Sequence, residues 1–268
     1  MTDAAESGPR VELSVADEIA TITFNRPEVR NAIDDAMRDE FQTALEHVAN
    51  DRGVRAVVLT GKGSAFCAGG DISGMQKRLS ASPGDVAFNG WTRQRRLHQG
   101  VAMLHNLPKP TIAAVNGAAA GLGCDLALCC DFIIASDAAM FTMSFILRGL
   151  VPDGGGMYFL PRRVGLARAK ELIFTGRRVN AKEALAIGLA DRVTAADALL
   201  SDAQAWAKEL SHGSPAAVAL AKSILDQAYE LTAEQALALG REAQAICYTT
   251  AEHQAAVAAF LDKSKRPR

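Results

Sequence analysis

The sequence predicts an α/β fold with a helical C-terminal region, and three observations carry that prediction. In the expected core, residues 1–195, short β-branched runs alternate with helix-forming stretches up to the Pro152 turn. Two of these runs, Ala56–Thr60 and Thr111–Val115, each lead into a glycine-rich turn. Over residues 196–268 helix formers dominate and no strand pattern returns. The 268 residues suit a core domain with an appendage, and a 49% hydrophobic share supplies a sizeable core.

The elements follow in order. Val11–Val15 and Ile19–Phe24 alternate around Asp17-Glu18, the pattern of a hairpin. Asp34 is placed to cap a helix whose apolar face is Met37, Phe41, Leu45 and Val48, ending near Asn50. Strand Ala56–Thr60 precedes the first glycine turn, Ser64 to Ile72. Residues 73–89 are polar and turn-rich, and read as a mobile loop before a helix over Trp91–His105. Strand Thr111–Val115 enters the second glycine turn, which is followed by a short apolar helix to Cys130. Phe132–Ala135 and Ala139–Phe141 are further strands. After the Pro152 turn the pattern is helical: Ala167–Thr175, Ala181–Gly188, Asp197–Leu210, Pro215–Tyr229, Thr232–Thr249 and Ala251–Phe260.

Composition excludes several function classes. A net charge of −1 offers no basic face to a nucleic acid. Arg93, Arg95 and Arg96 form the one basic knot, a solvated helix face before it is a phosphate contact. No apolar stretch is long enough to span a membrane, and Met1 to Pro9 is polar and acidic, unlike a leader peptide. Cys67, Cys124, Cys129, Cys130 and Cys247 lack zinc spacing. They are expected reduced and packed, which makes a cytoplasmic location the expectation. No metal cluster and no redox-cofactor motif is present, so no cofactor is expected.

The glycine turns carry the chemistry. Small residues let a backbone approach a ligand and leave N–H groups pointing outward. Two such turns can aim two N–H groups at one oxygen, which is an oxyanion hole. The plainer alternative is tight strand-to-helix packing. Neither turn is a phosphate cradle, because no G-x-x-x-x-G-K-[ST] occurs and Gly121-Leu122-Gly123 lacks a third glycine.

Five segments, in order, resemble the enoyl-CoA hydratase/isomerase (crotonase) family. They are Asn25-Arg26-Pro27 with Asn31-Ala32, Ala65 to Ile72, Ala114 to Gly123, Gly149 to Gly156, and Ala259 to Lys263. The resemblance implies ββα turns stacked as a superhelix, C-terminal helices that trimerise, and a homotrimer or hexamer acting on an acyl-CoA. It implies oxyanion donors at the N–H groups of Gly70 and Leu122. Leu122 stands where many members have glycine, a mild departure since only its backbone would act. Arg26 and Arg30 are similar to residues that meet the CoA phosphates. Ala32, Ala68, Gly70 and Ile72 would line the pantetheine slot, and Asp71 is a further candidate for substrate or CoA binding. Phe260 and Lys263 resemble the pair that reaches a neighbouring subunit's CoA.

The acids and bases discriminate further. Hydratases of the family place two glutamates over the substrate, and the matching positions here are Asp125 and Phe145. A phenyl ring cannot accept a proton, so the two-glutamate mechanism is not expected. Asp153 matches an aspartate that certain family isomerases carry at this turn. The dienoyl-CoA isomerase type also has aspartate at the position of Asp125, but keeps a glutamate where Phe145 stands. Asp153 is thus the first candidate base and Asp125 the second. Their plainer readings are a helix N-cap for Asp153 and a surface or ion-paired carboxylate for Asp125, although the apolar Leu126-Ala127-Leu128 that follows points to burial of Asp125, which would raise its pKa and suit it as a base. The expected activity is a double-bond shift in an enoyl-CoA by carboxylate proton transfer. Alternatives are hydration of a 2-enoyl-CoA with Asp125 and Asp153 as the pair, thioester or ring C–C hydrolysis, and acyl-CoA binding without turnover. Phe88, Trp91, Leu97, Met143 and Phe145 are candidates for an apolar acyl pocket.

Overall fold

The structure, a computed structural model, describes residues 8–73 and 80–262. Strands β1 (Val11–Ala16) and β2 (Ile19–Phe24) form the expected hairpin, with Val11 opposite Phe24. Asp17 and Glu18 both adopt left-handed φ, the two-residue turn that suits twisted strands. Helix α1 (Asp35–Asn50) starts where Asp34 accepts a hydrogen bond from the Met37 N–H at 2.9 Å. Met37, Phe41, Leu45 and Val48 are buried, as their spacing predicts.

Three ββα units follow. They are β3 (Ala56–Gly61), β4 (Ala65–Cys67) and α2 (Pro83–His105); β5 (Thr111–Val115), β6 (Ala118–Ala120) and α3 (Leu122–Cys129); and β7 (Phe132–Ser136), β8 (Met140–Thr142) and α4 (Gly156–Val164). The first strand of each unit enters one sheet and the second enters another. After them come α5 (Leu166–Thr175), β9 (Arg178–Asn180), α6 (Ala181–Ala186), β10 (Arg192–Thr194) and α7 (Leu199–Leu210). The large sheet has the order β1-β2-β3-β5-β7-β10, parallel except for the hairpin. The small sheet is β4-β6-β8-β9, antiparallel only at β8–β9.

Both faces of the large sheet are covered. One packs into the main core with α1, α3 and the small sheet. The other is closed by α7, whose Leu199, Ala203, Trp206 and Ala207 meet Ile19, Val58, Ile112 and Ile134. Helix α7 thus joins the core of residues 1–195, although it belongs to the helical stretch 196–268. The last helices, α8 (Pro215–Leu225), α9 (Ala233–Cys247) and α10 (Ala251–Leu261), contain no buried residue. Leu225, Leu237 and Phe260 are exposed along them, and Tyr229 is exposed in the turn after α8. No helix among the described residues is long and apolar enough to cross a membrane.

Two sequence expectations change. The stretch expected as loop up to Asn89 is already helix from Pro83: Ser82 caps it by accepting from the Asp85 N–H, and Pro83 fits the first helical position. The rest of that expected loop, residues 74–79, lies outside the described residues. The glycine-rich turns also contain strands, β4 and β6, each of three residues and too short to display a period.

Candidate active site

The site is built on Asn31. Its side chain is fully buried and its backbone is left-handed, with φ of 57°. Its Nδ2 donates to the carbonyls of Lys62, Ala65 and Phe66 at 3.0, 2.8 and 3.2 Å, while its Oδ1 accepts from the Arg26 N–H at 2.8 Å. This pins residues 26–33 against β4. The Ile33 N–H then donates to Gly69 O at 2.8 Å, and the Asp71 N–H to Ile33 O at 2.9 Å. That ladder passes over Gly70, whose own N–H is not used by it.

The second turn lies against the first. A Cβ on Gly123 would fall 2.1 Å from the Cys67 carbonyl oxygen, so only glycine lets α3 approach β4 this closely. A Cβ on Gly69 would stand 3.5 Å from the Leu122 nitrogen. Leu122 is the first residue of α3, so its N–H has no partner within the helix and sits at the positive end of the dipole. Gly70 and Leu122 line one cavity of about 400 Å³.

The cavity's carboxylates differ in their neighbours. Asp34 is ion-paired with Arg10 and Arg26, and Asp35 with Arg38. Asp71 accepts from the Ser73 hydroxyl at 2.6 Å, from the Ser73 N–H at 2.9 Å and from Arg26 at 3.1 Å. The Ser73 bonds first, then Arg26, hold its carboxyl below the usual range. Asp153 instead faces His98 of α2, with Oδ2 and Nε2 3.9 Å apart. Burial pushes Asp153 up, against the opposing pull of its own N–H, His98 and Arg93. Asp153 is not the helix N-cap considered above: α4 starts at Gly156 after Gly155, with no side-chain cap.

Asp125 lies behind the cavity wall. It is wholly buried on α3, so the surface and ion-pair readings give way to burial. Neither oxygen makes a hydrogen bond, although the Gly154 and Gly156 N–H groups lie near enough to favour its charged form weakly. Burial, then the charge of Asp153, pushes its carboxyl well above the usual range. Its oxygens occupy the space a Cβ on Gly154 or Gly156 would enter, at 2.6 and 2.3 Å. Asp125 therefore sits directly under the turn that carries Asp153.

Of the residues selected from sequence, Ala68, Gly70, Asp71, Ile72, Leu122, Phe145 and Asp153 meet on this cavity. Arg26, Arg30, Ala32 and Asp125 are not on its wall. Arg26 is 15% exposed and engaged by Asp34, Asp71 and the Ala32 carbonyl. Phe260 is 72% exposed on α10, and Lys263 lies outside the described residues. Leu97 joins Phe145 on the wall, whereas Phe88 and Trp91 are exposed and Met143 is buried beneath Gly156. Cys67 is buried and its thiol pushed up to about 12, which removes it as a nucleophile. Sequence reasoning missed His98, because its place beside Asp153 depends on how α2 crosses the Pro152 turn.

The model of the enoyl-CoA hydratase/isomerase family matches residues 14–267. The chain belongs to the enoyl-CoA hydratase/isomerase family. It is 36% identical over 249 residues to a short-chain-enoyl-CoA hydratase of Clostridium acetobutylicum, covering 92% of this chain and 93% of that one. It is also 36% identical over 245 residues to a 1,2-epoxyphenylacetyl-CoA isomerase of Escherichia coli, covering 91% and 92%. A solved enoyl-CoA hydratase/isomerase from Cupriavidus metallidurans superposes with a TM-score of 0.89 at 35% identity, covering 98% of this chain and 96% of the other. The expected crotonase-type α/β fold is thereby established, as is an enzyme of this family. An acyl-CoA substrate accords with the family.

Proposed function

We propose that this enzyme moves a double bond within an enoyl-CoA thioester. Asp153 takes a proton from one carbon and returns a proton to another. The N–H groups of Gly70 and Leu122 hold the thioester oxygen while it carries the enolate charge. Each such donor lowers the barrier by about 3–4 kcal/mol in other enzymes.

The observation that carries this reading is the company Asp153 keeps. It shares one cavity with Gly70 and Leu122, and Phe145 forms part of the same wall. Burial raises its pKa, which brings a carboxylate nearer to the neutral range where a proton carrier works best. The phenyl ring of Phe145 cannot orient a water for addition, so transfer between carbons is favoured over hydration. Asp125 is assigned a supporting part in this scheme, as a prop beneath the Gly154–Gly156 turn. The exposed Arg30, rather than the engaged Arg26, is the better candidate for a CoA phosphate.

A second reading is hydration of a 2-enoyl-CoA. It is supported by the relatives that carry a hydratase name. We also hold to a homotrimer or hexamer in the cytoplasm, supported for assembly by the exposed apolar residues of α8, α9 and α10.

The Asp153→Asn variant tests the assignment. Turnover of a 3-enoyl-CoA should fall by about 10²-fold or more with the fold intact. Unchanged turnover would remove Asp153 from the mechanism.

A further inference from the structure

Helix α2 packs over the turn that carries Asp153. Leu97 of α2 lines the cavity, and Val101 lies 3.7 Å from the position a Cβ on Gly155 would take. Between them His98 projects toward Asp153, with Nε2 3.9 Å from Oδ2. The imidazole is 53% exposed and the Asp153 side chain 24% exposed. The two groups thus form a step from solvent to the cavity. On the inner side, Asp125 is wholly buried and offers no way out to water.

We propose that His98 is the proton relay between Asp153 and solvent, and that it sets the protonation of Asp153 during the reaction. This rests on the reading of Asp153 as the proton-transferring carboxylate. The steps balance. The Asp153 carboxylate takes a proton from the substrate carbon and becomes neutral, and the electron pair moves to the thioester oxygen. The carboxyl passes that proton to neutral His98, giving an imidazolium, which releases it to water. The reverse sequence loads a solvent proton on Asp153, which delivers it to the other carbon. Imidazole suits this task because it gains and loses a proton near neutral pH. The 3.9 Å gap closes with one water or a small rotation of the exposed ring.

His98 acts through Asp153, so it is a positioning and relay residue. Other groups also act on Asp153 or share its cavity: Arg93 on α2 and the carboxyl of Asp125 on α3 act on it, and Arg148 lines the same cavity. Among these, Arg93 and Arg148 stay charged throughout, and Asp125 has no route to solvent. His98 alone in this set joins a proton-carrying ring to open exposure to water.

The test uses the full-length enzyme and its His98→Gln and His98→Lys variants with a 3-enoyl-CoA in deuterated water. The wild-type product should carry solvent deuterium at the newly formed C–H. In His98→Gln the proton removed should be returned more often, and the solvent-derived fraction should fall several-fold. The acid limb of kcat/KM should also move up in that variant, because an imidazolium at position 98 no longer favours the charged form of Asp153. His98→Lys keeps a charge without a neutral form near pH 7, so it should restore the limb and not the exchange. Unchanged deuterium partition and an unchanged limb in His98→Gln, with Asp153→Asn inactive, would overturn the relay alone. A fully active Asp153→Asn would overturn the reading of Asp153 and the relay together.

Discussion

Gly123→Ala perturbs the oxyanion hole without touching a side chain of the cavity. The added methyl would meet the Cys67 carbonyl oxygen at 2.1 Å and the Cys67 Cβ at 2.7 Å. An ordinary C···O contact is about 3.3 Å, so the first turn of α3 must retreat from β4 by about 1.2 Å, the difference from 2.1 Å. Overpacking of this kind costs about 1–3 kcal/mol of stability. The functional cost is separate. The Leu122 N–H rides on the turn that moves, while the Gly70 N–H stays with the first glycine turn. A misplacement of about 1 Å is worth about 10²-fold in rate. The assay is kcat/KM on an enoyl-CoA thioester, paired with a urea melt of the same protein. Gly90→Ala is the control: its methyl enters open space on α2, and alanine favours a helix by about 0.5–1 kcal/mol. A Gly123→Ala protein with wild-type kcat/KM would refute the oxyanion assignment of Leu122, whatever its stability.

Two further predictions concern stability and assembly. Asp125 keeps its proton in the folded protein to a higher pH than it does unfolded. The unfolded chain then binds fewer protons between those two pKa values, so stability is greatest below that window and falls as pH rises through it, by up to about 1.4 kcal/mol per unit. Asp125→Asn removes this slope, and urea melts from pH 4 to pH 7 should diverge from wild type; parallel curves would show that Asp125 ionises freely in place. Sedimentation velocity should give a mass of three or six chains, since α8–α10 bury no residue within one subunit. A monomer at micromolar concentration would contradict it.

Much of the molecule could be read from the chain, for identifiable reasons. Asp34 and the Met37-Phe41-Leu45-Val48 stripe mark α1 because capping and the 3.6-residue period are local. The two glycine turns are legible because small residues at a strand end leave a backbone signature, whereas Gly70 and Leu122 are singled out within them by the family resemblance alone. Strands β9 and β10 were not, since three residues of mixed polarity, such as Arg178-Val179-Asn180, show no period. The start of α2 was hidden because Ser82-Pro83-Gly84-Asp85 reads equally as a turn and as a capped helix start. The ion pairs of Arg26 with Asp34 and Asp71 are not legible in the sequence, because those partners lie on other segments. The burial of Asp125 is legible in the apolar Leu126-Ala127-Leu128 that follows it, but the place of His98 is a tertiary fact, decided by how α2 packs around the Pro152 turn.

The most direct test of the central claim is the fate of matched 2-enoyl-CoA and 3-enoyl-CoA thioesters with the pure enzyme in deuterated water, followed by chromatography and mass spectrometry. Interconversion of the two with deuterium uptake and no added water is the result predicted for proton transfer by Asp153. A product carrying added water would contradict it, and would show that the cavity orients a nucleophilic water despite Phe145.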